Sequence, residues 1–537
     1  MSPGGRGSSG LVTAVSLKAE PVEVLVVRRR PRRDHVLVAG LVVLALLLRV
    51  PFLGRTYWID EAISIGISSH RLSQLPSVLH LDGSPPFYYL LLHFWIGWFG
   101  ATEAATHSFS LLLSLLAVPA GYWAGREVFD RRAGVAVAAL MATNPFLNWY
   151  ATETRMYTLI VLLSLLAVTF AWRAVRDRSW LDAVVAAVIF DALLYTHDWC
   201  LYLAAATGLV LLWHAHVQRD RSLALWILAG GGLTLALWAP WVPEFLDQAH
   251  HTAAPWAVQP GIGDFFADPS TALGGTIGVV VVPLLVLGAW LCRRQPPART
   301  AGVIAAVSFL ATVLGFLGSE LQPSWTVRYL AIIVAPYLLA AGGLLSSTKA
   351  GRSIVWAVCI VVSTWSVIGT LLPNPHGRAA KDNMADVAAS VSHQLRPGDL
   401  VVVTQTEQAP VAHHYLPAGL RYLTPTGPVA DPTVVDWRDI VTRLDSASPC
   451  LAIGPAIDRL PLGAKVLEID PYHHRTAAGS PWSAAVGRQI QQVDSFLGHD
   501  AALTEIGAYA PAVSPKPYAP VSAVLYEKTA AAPSCQA

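Results

Sequence analysis

The chain has 537 residues, 54% of them hydrophobic and only 13% charged, with a formal net charge of +2 and five cysteines. Soluble domains carry about 25% charged residues, so this supply cannot clothe a folded surface in solvated groups. A soluble enzyme is excluded, as are collagen-like and disordered chains, and no nucleic-acid partner is expected.

The first 35 residues carry seven Arg or Lys against three acids, without an apolar period, and predict a disordered basic cytoplasmic tail. Residues 36–53 follow as a basic-flanked apolar run with no small-residue cleavage site, the pattern of a retained signal anchor. Further apolar runs lie near 105–124, 133–150, 157–172, 182–196, 199–213, 223–242, 273–291, 301–319, 330–347 and 353–372. A membrane span needs about 17–25 residues at about 1.5 Å each.

The stretch 86–99 (PFYYLLLHFWIGWF) decides the topology. It reaches roughly 21 Å, short of a hydrocarbon core of about 30 Å, and its Trp, Tyr and Phe are residues of the membrane interface. If it lies along the surface, the loops around 125–132, 173–180, 214–222, 292–300 and 348–352 share the side of the tail. They hold thirteen Arg or Lys against four in the opposite loops. The positive-inside bias then gives about eleven spans over residues 36–372, the N-terminus inside and the C-terminal part outside.

Residues 373–537 change character, with twelve basic and fifteen acidic residues. Lys381–Arg396, Trp437–Leu444 and Trp482–Leu497 read as helices. Leu400–Thr404, Leu451–Gly454, Val466–Ile469 and Val521–Tyr526 read as strands. The expectation is an extracytoplasmic α/β domain. Cys450 and Cys535 can pair in an oxidising compartment, but two free thiols is the expected state. His413-His414 and His473-His474 read as surface residues.

The residues able to carry chemistry cluster on the outer side. Asp60 and Glu61 follow Tyr57-Trp58-Ile59 just past the first span. Neighbours on a helix point about 100° apart, so one acid can face a cavity while the other makes a structural contact. An Asp beneath aromatic rings at a membrane surface loses solvation, which raises its pKa and makes it a usable base. Asp82 and Ser84 precede Pro85-Pro86 and are also good cap and turn residues. Glu153 and Arg155 stand too close to face each other, and an outer-face Arg suits a phosphate through its planar fork. Tyr195-Thr196-His197-Asp198-Trp199 and Trp325-Thr326-Val327-Arg328-Tyr329 share this polar and aromatic character, and Trp256 is placed to stack on a sugar or isoprenoid.

Trp58-Ile59-Asp60-Glu61-Ala62, Pro85-Pro86-Phe87-Tyr88-Tyr89-Leu90, Gly125-Arg126-Glu127-Val128-Phe129-Asp130-Arg131-Arg132-Ala133-Gly134 and Thr152-Glu153-Thr154-Arg155-Met156-Tyr157 occur in order, followed by Tyr195-Thr196-His197 and Arg328-Tyr329. In these pieces residues 36–372 resemble the GT-C superfamily of polyprenyl-phosphate-sugar-dependent glycosyltransferases. More narrowly the chain resembles the bacterial family-39 group, related to protein O-mannosyltransferases and lipid A aminoarabinose transferases. The resemblance implies a mainly α, polytopic transmembrane bundle of GT-C type that forms the catalytic domain. It implies an inverting transfer of a monosaccharide, mannose or arabinose, to an extracytoplasmic cell-envelope acceptor, whether glycan, lipid or protein. Asp60 becomes the general base, with Glu61 beside it in the catalytic pair. Arg155 and Arg328 become the phosphate ligands. Asp82, Tyr88, Glu153, Tyr157, His197 and Tyr329 become substrate-binding residues. Some relatives carry a Glu or His directly before the Pro-Pro, where a metal can bind; here Ser84 stands there. No metal or other cofactor is therefore expected, Asp82 being the candidate ligand should a divalent cation bind. A transporter or lipid-linked glycan flippase is the alternative, and it calls for charge at mid-span, where Asp191 is nearly the sole candidate.

Overall fold

The computed structural model describes residues 31–344, 382–471, 479–509 and 520–535, together with isolated helical positions between 353 and 368. Among the residues described continuously, sixteen α-helices precede the C-terminal part: α1 (Pro31–Arg49), α2 (Ile59–Ser69), α3 (Leu75–Asp82), α4 (Phe87–Phe99), α5 (Glu103–Val128), α6 (Arg131–Thr143), α7 (Pro145–Tyr150), α8 (Tyr157–Asp177), α9 (Trp180–Leu194), α10 (Cys200–Val217), α11 (Arg221–Trp238), α12 (Val242–His251), α13 (Ile262–Gly274), α14 (Gly278–Cys292), α15 (Pro296–Leu321) and α16 (Ala331–Gly343). The last residues of the expected tail are the first turn of α1, where Asp34 accepts hydrogen bonds from Tyr122 Oη (2.8 Å) and Arg131 Nε (2.7 Å).

Every expected span coincides with helix as far as residue 344, and the end of the run 330–347 and most of 353–372 fall outside the described residues. Six helical stretches among the described residues are long and apolar enough to cross a membrane. The run 133–150 is broken by Asn144-Pro145. Asn144 Oδ1 caps α7 by accepting from Leu147 N (3.0 Å), and Pro145 opens that helix because its missing N–H is unneeded there. Helices α6, α9, α14 and α16 are each 13–15 residues. The aromatic stretch is the 13-residue α4.

Two devices hold the bundle. At Gly125 an added Cβ would meet the Ala133 carbonyl at 2.9 Å, so this glycine lets α5 and α6 touch backbone to backbone. At the end of α1 Arg49 is fully buried and donates to Asn148 Oδ1 (3.0 Å), Ser114 Oγ (3.1 Å) and the carbonyls of Met141 (2.9 Å) and Ala142 (3.0 Å). A guanidinium is tolerated there because its donors are met.

The C-terminal part is a mixed six-stranded sheet in the order β3-β2-β1-β4-β6-β5. Its strands are β1 (Leu400–Val403), β2 (Arg421–Thr424), β3 (Gly427–Pro428), β4 (Lys465–Pro471), β5 (Leu503–Tyr509) and β6 (Val521–Lys528). β1 runs parallel to β2 and β4, and β6 antiparallel to β4 and β5. The expected helices correspond to Met384–Val391, Ile440–Asp445 and Pro481–Gly498. Leu451–Gly454 is not a strand: Pro449 and Pro455 each open a short helix there, Pro449–Ala452 and Gly454–Asp458. Nor are Cys450 and Cys535 free, since they form a disulfide with Cα atoms 5.6 Å apart. His413 and His414 are exposed as expected, whereas His473 and His474 lie outside the described residues.

This domain grips the segments between the first span and α4. Tyr57 N–H donates to Tyr415 Oη (2.7 Å), which in turn donates to Glu103 Oε1 (2.9 Å). His70 Nε2 meets Asp431 Oδ2 at 2.8 Å, and Trp437 N–H donates to the Leu81 carbonyl (2.9 Å). A Cβ at Gly66 would lie 2.0 Å from the Thr433 carbonyl, so α2 accepts the domain only through a glycine.

Candidate active site

Trp58 enters α2 in extended conformation, which puts Asp60 and Glu61 in the first helical turn, where the helix dipole favours anions. The helical offset sends them in different directions. Glu61 is 2% exposed. Its Oε1 accepts from Thr154 N–H (2.7 Å) and meets His107 Nε2 at 2.6 Å. His107 Nδ1 must donate to the Leu53 carbonyl at 2.7 Å, so a second proton is held between Nε2 and Glu61. Glu61 therefore ties α2 to α5 and to the loop before α8, which corrects its expected place beside Asp60 at the reacting centre.

Asp60 faces the other way, into two guanidinium groups. Arg328 Nη1 donates to Asp60 Oδ2 at 2.8 Å. Arg155 Nε lies 3.9 Å from the same oxygen, and Arg155 Nη1 donates to Ser64 Oγ at 2.9 Å. Arg328 sits in an aromatic box, its Cζ 4.8 Å from the Trp256 ring centroid, 5.6 Å from Tyr329 and 5.8 Å from Trp58. Trp256 thus holds a cation rather than presenting a bare face for a sugar. Arg155 Cζ lies 6.0 Å from the Tyr157 ring. The Nε–H groups of Arg155 and Arg328, and Tyr157 Oη, are buried without a hydrogen-bond partner among the described residues. Two charged forks with donors to spare, against one carboxylate, make a site for an anion.

A cavity of about 410 Å³ opens beside this cluster, lined by Arg155, Tyr329, His197, Asp198, Ser84 and Gln248 among others. His197 packs edge-on against Tyr329, with ring centroids 4.4 Å apart. Burial, reinforced by the charges of Arg155 and Arg328, lowers its imidazole pKa to about 3. It is therefore neutral, and because Nδ1 accepts from Trp199 N–H (3.1 Å), its proton is on Nε2. Burial pushes the Asp82 carboxyl up to about 6, against the pull of Ser84 and Arg155. Asp198, which the sequence reading left without a role, is raised by burial to about 7 and lines the same cavity.

Asp82, Tyr157, Tyr88 and Glu153 do not line it. Tyr88 is fully buried against Tyr89 and Phe109, with centroids 5.7 and 6.0 Å away, a core position. Glu153 is buried under α5, where Ser110 Oγ donates to its carbonyl (2.6 Å). Gln248, Thr252 and Ser324, also in the lining, carry no recognisable sequence signal because they are isolated polar positions, the first two on α12 and its C-terminal cap and the third in the loop after α15. Asp82 belongs to neither group with metal-ligand spacing found among the described residues. In the nearer of these, His80 Nδ1 is 3.0 Å from Glu244 and 3.5 Å from Asp247.

Solved structures share this architecture. ArnT from Cupriavidus metallidurans in the apo state aligns over 92% of this chain and 98% of its own, at 14% identity and a TM-score of 0.59. The chain has a GT-C fold. ArnT bound to undecaprenyl phosphate matches over the same shares at 15% identity and a TM-score of 0.57. The oligosaccharyltransferase of Archaeoglobus fulgidus, in complex with zinc and sulfate, covers 88% of this chain and 72% of its own, at 12% identity and a TM-score of 0.50. The family model for dolichyl-phosphate-mannose-protein mannosyltransferase matches residues 83–243 of this chain. No curated protein sequence matches it.

Proposed function

We propose that this membrane protein transfers a monosaccharide, mannose or arabinose, from a polyprenyl-phosphate donor to an acceptor hydroxyl outside the cytoplasm, with inversion. The observation that carries this reading is the junction of Asp60 with Arg155 and Arg328, two part-buried guanidinium groups whose buried Nε–H donors are unmet among the described residues. A phosphate on both arginines competes with Asp60 for Arg328 and releases Oδ2. The acceptor oxygen then attacks the anomeric carbon, the bond from that carbon to the phosphate oxygen breaks, and its electron pair leaves with the lipid phosphate. The hydroxyl proton passes to Asp60. Arg155 and Arg328 balance the charge growing on the phosphate, where fixed donors in a dry site act most strongly. Asp82, Tyr157, His197 and Tyr329 surround the sugar in this reading.

Further support comes from the relatives, the family model being named for dolichyl-phosphate mannose and the ArnT complex holding undecaprenyl phosphate. The outward orientation rests on the thirteen-to-four bias of basic loop residues and on the Cys450–Cys535 disulfide, a bond of oxidising compartments. Such a site meets lipid-phosphate sugars, whereas nucleotide sugars stay inside. The transporter alternative loses ground because Asp191 lies in the last turn of α9, not at mid-span. Membranes supplied with labelled polyprenyl-phosphate mannose or arabinose test the reading. Wild type should transfer one of them and Asp60→Asn neither; transfer unchanged in Asp60→Asn overturns it.

A further inference from the structure

The cavity of about 410 Å³ beside the Asp60 cluster holds polar atoms that the transfer step leaves unused. Asp198 reaches it from the turn that leads into α10, and its carboxyl makes no hydrogen bond or ion pair among the described residues. Gln248 reaches it from α12 and is 3% exposed. Its Nε2 donates to the Leu79 carbonyl (3.3 Å) and to Glu244 Oε1 (3.1 Å), so the amide cannot turn over without setting oxygen against oxygen. Gln248 Oε1 is thereby left buried, with no donor among the described residues. His197 offers the opposite, since the proton on its Nε2 meets no acceptor among them.

Unmet acceptors call for a ligand that brings donors, because a buried polar atom without a partner is costly. Charge narrows the choice. The lining holds one cation, Arg155, whose Nη1 is on Ser64 and whose Nε faces Asp60. The reading above gives its remaining donors to the lipid phosphate, so a further anion in the cavity would face the Asp198 carboxyl uncompensated. A cation is disfavoured too, by the same two arginines whose charges help to keep His197 neutral. Hydroxyl groups satisfy both demands, since each donates one proton and still accepts. Trp199 and Tyr329, with ring centroids 5.5 Å apart, add aromatic surface to the same lining for the C–H face of a sugar. Aromatic walls with a few placed polar groups are the usual make-up of a small-molecule site.

We propose that this cavity binds an uncharged saccharide unit, with Asp198 and Gln248 Oε1 accepting from its hydroxyls and His197 Nε2–H donating to one of them. The proposal rests on the transferase reading for its place in the reaction and adds to it two binding residues and a charge class. The unit is either the sugar being transferred or the terminal sugar of a glycan acceptor, and a charged sugar is excluded from the cavity.

The full chain in detergent is titrated with methyl α-mannoside and methyl α-arabinofuranoside and followed by ligand-observed NMR, which reads millimolar binding without turnover. At least one of the two should bind. Asp198→Asn should weaken it about 10-fold or more and Gln248→Leu about 3-fold or more, with circular dichroism showing both variants folded. An amino and a phosphorylated counterpart of the glycoside that binds should each bind at least about 10-fold more weakly. With labelled polyprenyl-phosphate sugar added to the wild type, a glycoside that becomes glycosylated occupies the acceptor's place, and one that only competes with the donor occupies the donor sugar's. No glycoside binding, binding that survives both substitutions, or a charged counterpart bound as tightly overturns the proposal. Glycoside binding that is lost in the variants, in a wild type that transfers no sugar, would leave the cavity assignment standing and count against the transferase reading.

Discussion

Replacing Arg328 by Met removes the guanidinium that lies 2.8 Å from Asp60 and leaves its box of Trp256, Tyr329 and Trp58 standing. A hydrogen bond to a charged group is worth about 1.5–3 kcal/mol. A fork that makes two on the departing phosphate therefore loses ~3–4 kcal/mol after the site relaxes, or about 10²–10³-fold in kcat/KM at roughly 1.4 kcal/mol per decade. Arg328→Lys keeps the charge but gives up the planar fork and the stacking, worth about 0.5–2 kcal/mol, and should fall ~3–30-fold by the same conversion. Negative charge on the phosphate oxygens grows as the bond breaks, so kcat should drop by more than KM rises. The assay is initial-rate transfer from the labelled lipid-phosphate sugar, in membranes matched for the amount of folded protein. Arg328→Met within about threefold of wild type, or a loss confined to KM, would refute a role for Arg328 in stabilising the leaving group.

Glu61→Ala should act on stability. It strips the buried His107 of its anionic partner, at a cost of about 3 kcal/mol, lowering Tm in detergent while turnover per folded molecule stays within about twofold; intact Tm with lost turnover would return Glu61 to the reacting centre. The acid response of stability should split between two residues. His197 titrates lower in the folded chain, at about 3 against an ordinary 6.5, so its contribution is complete above pH 6.5 and is lost as pH falls toward 3. Asp82 titrates higher, at about 6 against 3.8, so it costs stability as pH rises from about 4 to 6. His197→Gln should therefore flatten the loss of Tm on acidification, and Asp82→Asn should steepen it, each by about 1.4 kcal/mol per pH unit within its window. Slopes that move together would contradict both assignments.

The chemistry of the site was legible where charge is scarce. In a chain with 13% charged residues, Asp60, Arg155 and Arg328 stand out in aromatic surroundings, and their meeting follows once the loops that carry them share one side. The outcome for Glu61 was open, because a helical offset says that two acids diverge but not which one turns inward; His107, one polar residue in a long apolar helix, decides that. The run 133–150 reads as one apolar stretch because Asn144-Pro145, a cap and a helix start, adds no charge to mark the break. Strands β2, β3 and β5 carry weak signals because Arg421–Thr424 has one β-branched residue where β1 has three, Gly427–Pro428 is two residues long, and Leu503–Tyr509 alternates weakly at the sheet edge. The run at Leu451 shows the converse, a short apolar stretch that prolines convert to helix.

The hydroxyl of Tyr415, the carboxyl of Asp431 and the main chain at Trp437 all hold on to the stretch that contains Asp60 and Asp82. The two halves of the chain are thus not separable modules. A chimera that exchanges residues 382–535 for the matching region of a relative would displace Tyr57 and Leu81 before it altered any acceptor contact. A change of the backbone at Thr433, or of the glycine that admits it at position 66, therefore calls for a matching change in its partner.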